Sequence, residues 1–148
     1  MNLKPLSRNL SVTPQVEPAE IAELAARGFK SIIGNRPEGE APDQPSWSSL
    51  VAEAERHGMS ACQIPVVPAH IGADDVQRFA AALRDLPTPI AAFCLTGTRS
   101  AMLWALANPD GLSVDERITM AAAHPVRSEY GCGTFPQHVG GNEEAVCR

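Results

Sequence analysis

The chain has 148 residues, 44% hydrophobic and 20% charged, with a formal net charge of −5. That length suits one domain, the composition excludes a disordered chain, and no apolar run approaches the ~20 residues that span a bilayer. The excess of 17 acidic over 12 basic residues argues against a nucleic-acid surface. Residues 1–6 lack the apolar core of a secretory signal, so the cytoplasm is the expected location. Four cysteines, Cys62, Cys94, Cys132 and Cys147, are too few and too uneven for a disulfide framework.

In chain order, residues 10–13 predict a short strand. Glu17-Pro18-Ala19-Glu20 opens a helix, because proline fits a first turn and acidic side chains suit the positive end of the helix dipole. Ile21, Leu24 and Ala25 form its apolar face and Gly28 stops it. Residues 29–33 predict a second strand. The polar, proline-rich loop over 36–45 that follows is expected at the surface. Ser46 caps a helix running to about His57. Residues 59–67 predict another strand, with Cys62 as an inert core thiol.

A further helix opens at 72–75, where Asp74 and Asp75 suit capping, and turns Val76, Phe79, Ala80 and Leu83 inward. Residues 89–93 are wholly apolar, the pattern of a buried parallel strand. An apolar helix over 101–107 comes after Thr98-Arg99-Ser100, and Ser113 caps a last helix to about Ala123. Strands alternating with helices predict an α/β fold of three layers, a central, mainly parallel sheet with helices on both faces. Residues 1–124 make that domain, and 125–148 a C-terminal tail.

The informative segment is Phe93-Cys94-Leu95-Thr96-Gly97-Thr98-Arg99-Ser100. A buried strand delivers a cysteine to a glycine-containing turn, and a helix begins at once. Backbone N–H groups of such a turn converge, and the helix N-terminus adds a positive dipole. This setting favours the thiolate of Cys94, a nucleophile. The amides of Leu95, Thr96, Gly97, Thr98 and Arg99 make an oxyanion or persulfide cradle. Gly97 allows the backbone twist, and Ser100 caps the helix or donates to the thiolate. The planar fork of Arg99 can hold two oxygens of an oxyanion. The alternative is a small core cysteine beside a surface arginine.

Cys-x-x-Gly-x-Arg-Ser after a strand resembles the active loops of cysteine phosphatases and rhodaneses. With Asn35-Arg36-Pro37-Glu38-Gly39-Glu40, Gln44-Pro45, Ile64-Pro65-Val66 and residues 94–104, the chain is similar over residues 10–123 to the beta-lactamase hydrolase-like, or DUF442, family. The resemblance implies the protein tyrosine phosphatase fold. It also implies a lone domain or one joined to a metallo-β-lactamase-like domain linked to sulfide oxidation. Two departures stand out: Leu95 where the family commonly has arginine, and a tail unlike the family's usual ending.

Two chemistries compete on that turn. Tyrosine phosphatases resemble one another in placing five residues between cysteine and arginine, and here four intervene, as in rhodanese-like loops. Phosphoryl transfer gains from an acid that protonates the leaving oxygen, whereas residues 67–70 offer only His70. Sulfane-sulfur transfer needs no such acid, since its leaving group departs as a stable anion. These points favour a sulfurtransferase working through a Cys94 persulfide. The alternatives are a phosphatase-like hydrolase using the same cysteine and a non-catalytic oxyanion- or protein-binding module.

The loop at 36–45 leaves the end of a parallel strand, the side where open α/β sheets bind ligands. Arg36 can assist anion binding and Glu40 can orient Arg99; otherwise Arg36 pairs with Glu38 or Glu40 in solvent. His124, Cys132, His138 and Cys147 lack the paired spacings of a zinc site, so no metal and no cofactor is expected. The expected partners are a small anionic or sulfur-containing substrate and a thiol acceptor, with no nucleic acid and no membrane. A homodimer is also allowed.

Overall fold

The structure, a computed structural model, describes residues 1–122 and 146–147. Side chains alternate across the short strands, and that alternation divides the core in two. From β3 (Ser31–Gly34) and β5 (Ile90–Phe93), Ile32, Ala91 and Phe93 face one layer. Ile33, Ile90 and Ala92 face the other. The first layer is closed by α1 (Ile21–Ala26) and α2 (Trp47–Arg56), which contribute Leu24, Leu50, Val51 and Ala54. The second is closed by α3 (Ala73–Asp85) and α4 (Thr98–Ala107), with Phe79, Ala82, Leu103 and Trp104. From α5 (Val114–Ala122), Met120 packs on the same side.

The sheet adds β1 (Lys4–Pro5), β2 (Leu10–Thr13), β4 (Ser60–Gln63) and β6 (Val146–Cys147), in the order β1-β2-β5-β3-β4-β6. The four inner strands are parallel, and the two-residue edge strands run antiparallel. The predicted three-layer α/β architecture is therefore the observed one. β5, the most apolar strand, lies between β2 and β3, with Thr13 opposite Phe93 and Phe93 opposite Gly34. At Gly34 the bare backbone admits Trp47, since a Cβ there would lie 2.6 Å from its Cζ3. Among the described residues no helix is long and apolar enough to cross a membrane.

Three local expectations are corrected. The strand predicted over 59–67 is confined to β4; beyond it the N–H groups of Ile64 and Val66 still donate to Gly34 and Asn35, but Pro65 has none to give. The helix predicted from Ala101 starts three residues earlier, so Thr98, Arg99 and Ser100 form the first turn of α4 and are buried. Cys62, expected as an inert thiol, is disulfide-bonded. The ladder of β4 with β6 sets it opposite Cys147, a juxtaposition that 85 positions of separation along the chain do not disclose. The expected tail at 125–148 lies outside the described residues apart from β6, as do His124, Cys132 and His138.

Candidate active site

β5 ends at Phe93, and the chain turns at once into α4. Cys94 stands at the bend with no exposed surface. It is the free cysteine among the described residues. Its sulfur accepts a hydrogen bond from the N–H of Gly97 at 3.0 Å. Gly97 is the N-cap of α4 and has φ 92°, in the left-handed region, and a Cβ there would sit 3.4 Å from the Thr13 carbonyl. Glycine at this position thus meets a backbone requirement, the contact with Thr13 being an ordinary one. The loop after β2 is tied to the same turn, since the N–H of Gln15 donates to the Leu95 carbonyl at 3.2 Å. Thr96 and Thr98 place their hydroxyl oxygens 2.9 Å apart.

Arg99 is 1% exposed. Its Nη1 and Nη2 donate to the two carboxylate oxygens of Glu40, each at 2.8 Å, and Nη1 also donates to the Val66 carbonyl at 3.0 Å. Arg36 Nε donates to Glu40 at 3.0 Å and its Nη1 to Gln15 Oε1 at 3.1 Å. Glu40 is itself about one quarter exposed. The hydrogen bonds from Arg99 hold its carboxyl below the ordinary value of 4.5, against the opposing effect of partial burial, with Arg36 adding to the lowering. Two guanidiniums around one carboxylate leave the cluster one positive charge in excess, beside the N-terminal end of α4. Such a place suits an anion.

The loop over 36–45 lies at the surface as its composition predicts, with Glu38, Gly39, Pro42 and Asp43 exposed; Arg36 is the exception. Arg36 is buried, because two partners from different elements neutralise and solvate it. Gln44 closes the loop on itself: its Oε1 accepts from the Glu40 N–H and its Nε2 donates to the Pro37 carbonyl. Glu38, considered a partner for Arg36, accepts instead from the Trp47 N–H.

Ser100 does not donate to the sulfur. Its single hydroxyl proton goes to Asn35 Oδ1 at 2.7 Å, while Asn35 Nδ2 donates to the Ile64 carbonyl at 2.9 Å. His70 is exposed in the loop between β4 and α3. Among the described residues its side chain makes no hydrogen bond or ion pair. Asp75 is occupied, accepting from the Gly72 N–H at 2.9 Å with Arg78 at 3.6 Å. The structure thus sets Cys94 and Gly97 in one turn and Arg99, Glu40 and Arg36 in one cluster, tied together by Gln15, which bonds Arg36 through its side chain and the Leu95 carbonyl through its N–H; His70 bonds to neither. Sequence reasoning passed over Gln15 and the bonding role of Asn35. The available signal was their position, each a polar residue just past the C-terminal end of an inner strand. Among the described residues no group of three or more potential metal ligands gathers.

A free cysteine where the central strand of a three-layer sheet turns into a helix defines a phosphatase-like class, the fold of protein tyrosine phosphatases. Within it, the chain belongs to the family described as "Beta-lactamase hydrolase-like protein, phosphatase-like domain", an enzyme family of hydrolase-like type whose signature matches residues 2–124. A beta-lactamase hydrolase-like protein of Xylella fastidiosa is 33% identical over 126 residues, 84% of this chain. The chain spans only 29% of that relative's length. A candidate phosphatase from Neisseria meningitidis shares the fold with a TM-score of 0.76 at 33% identity, covering 83% of this chain and 88% of its own. P. aeruginosa TpbA in complex with pTyr has a TM-score of 0.60 at 14% identity, covering 80% of this chain and 70% of its own. That last likeness is one of fold alone.

Proposed function

We propose that the protein is a cysteine-dependent phosphatase that hydrolyses phosphate monoesters through Cys94. The observation that carries this reading is the Gly97 N–H on the Cys94 sulfur at the N-terminal end of α4, with Arg99 of the first turn of that helix braced by Glu40. The Cys94 thiolate attacks phosphorus, the ester P–O bond breaks, and the leaving oxygen keeps the electron pair and takes a proton from water. Water then attacks the phosphocysteine, the S–P bond breaks, and its electron pair returns to sulfur as phosphate departs. The turn's amides, and the positive charge of Arg99 acting while its fork stays on Glu40, stabilise the charge gathered on the equatorial oxygens in both steps. The family membership, and a pTyr complex in a protein of the same fold, support this choice over sulfur transfer.

Sulfane-sulfur transfer through a Cys94 persulfide is the second reading, and the four-residue spacing between Cys94 and Arg99 favours it. One paired assay separates the two. With an aryl phosphate the protein releases inorganic phosphate, and Cys94→Ser abolishes the release. Persulfide on Cys94 after thiosulfate, seen as a mass gain of about 32, with no phosphate release from the ester, overturns the phosphatase reading. Failure of both reactions leaves an oxyanion-binding module.

A further inference from the structure

We propose that Leu95 and Val67 select the body of the substrate, favouring monoesters with an apolar, otherwise uncharged body and rejecting substrates with several anionic groups. The inference deepens the phosphatase reading and rests on it.

Among the described residues four large hydrophobic side chains are exposed: Val67, Leu95, Val114 and Ile118. The last two belong to α5. The first two adjoin the candidate site. Leu95, 45% exposed, follows Cys94 directly, and its carbonyl is pinned by the Gln15 N–H. Val67, 47% exposed, follows Val66, whose carbonyl holds Arg99 Nη1. Both backbones are thus anchored to the oxyanion-binding apparatus while their side chains stand in water. An isolated exposed hydrophobic side chain means little. Two of them beside the residues that would hold a phosphoryl group are a surface for the rest of the ester.

Charge argues the same way. The segments that leave the C-terminal ends of the four inner strands are 14–17, 35–45, 64–72 and 94–97. They contain one permanent cation, Arg36, against four carboxylates, Glu17, Glu38, Glu40 and Asp43. Arg36 is buried against Glu40, and Arg99 lies below the surface with the same partner. On these segments a second phosphate finds carboxylates and no exposed arginine or lysine, and like charges discriminate against a ligand. An apolar body removes Leu95 and Val67 from water instead.

The test compares native protein with Leu95→Arg and Val67→Lys, using 1-naphthyl phosphate and myo-inositol 1,4,5-trisphosphate as substrates. Native protein prefers naphthyl phosphate by at least about 100-fold in kcat/KM. Each substitution lowers that preference about 10-fold or more, through KM rather than kcat. In a second arm, Cys94→Ser binds phenylphosphonate at least about 10-fold more tightly than methylphosphonate, and Leu95→Arg erases the difference. Equal binding of the two phosphonates, or a preference indifferent to both substitutions, overturns the role of Leu95 and Val67 and leaves the phosphatase reading standing. Binding of neither phosphonate, with neither ester cleaved, overturns both.

Discussion

Glu40 and Arg99, 59 positions apart in the sequence, meet through two parallel hydrogen bonds of 2.8 Å. This fork-to-fork contact fixes the plane of the guanidinium as a single bond cannot. It also joins the loop after β3 to the first turn of α4, the two segments that flank the cysteine turn.

Glu40→Gln removes the charge and one acceptor while keeping the shape. Breaking a buried ion pair from one side costs about 3–5 kcal/mol, and the partial exposure of Glu40 reduces this to about 1–3 kcal/mol. Thermal unfolding measures that loss. If Glu40 positions Arg99, kcat with an aryl phosphate falls about 10–100-fold, and the affinity of Cys94→Ser/Glu40→Gln for inorganic phosphate falls with it. A purely structural Glu40 lowers the melting temperature alone.

Glu40 also sets a pH dependence. Its carboxyl is held below 4.5 in the folded protein. The stabilisation this gives is complete above pH 4.5 and is lost as pH falls through the lower, folded value. Melting temperatures from pH 7 to pH 3 therefore drop more steeply below pH 4.5 in the native protein than in Glu40→Gln. Parallel curves would detach Arg99 from the effect.

Two glycines separate strain from crowding. Gly97→Ala forces a side chain into φ 92°, costing about 1–2 kcal/mol, and shifts the N–H that reaches the sulfur. Alkylation of Cys94 by iodoacetamide changes rate accordingly. Gly34→Ala drives a methyl into Trp47, an overpacking cost of about 1–3 kcal/mol. Calorimetry should register Gly34→Ala as a loss of stability, with Cys94 alkylation in the folded protein unchanged.

Asn35 and Ser100 form a buried hydrogen-bonded pair that is not bonded to the sulfur. Asn35→Ala leaves the Ile64 carbonyl and the Ser100 hydroxyl without these partners, which costs about 2–3 kcal/mol; Ser100→Ala strands one acceptor and costs about 1 kcal/mol. Because Ser100 donates to Asn35, Ser100→Ala leaves the rate of Cys94 alkylation within about twofold of native. A larger change would mean that the hydroxyl turns to the sulfur in solution.

The layered architecture was legible because apolar alternation and helix caps are local signals. Ser46 accepts from the Ser49 N–H as its position at the head of α2 predicts, and β5 declares its burial by containing nothing polar. The cysteine turn was legible because strand, glycine and helix follow one another without a gap. What the sequence concealed is long-range. The pairing of Arg36 with Glu40, four positions on, was among the expected contacts, but Gln15, 21 positions away, was not, and Asn35 reads as a loop residue until Ser100 and Ile64 arrive from elsewhere. Composition alone could not reveal which polar residues a fold brings together.

β5 hydrogen-bonds to β2 on one side and β3 on the other, which has a consequence for biosynthesis. As the chain leaves the ribosome, β1 with β2 and β3 with β4 can emerge only as two separate ribbons whose facing edges have no match. The strand that bridges them is translated last of the four inner ones, and Cys94 is the very next residue. A nascent chain therefore orders the Cys94 thiol only as the two ribbons become one sheet.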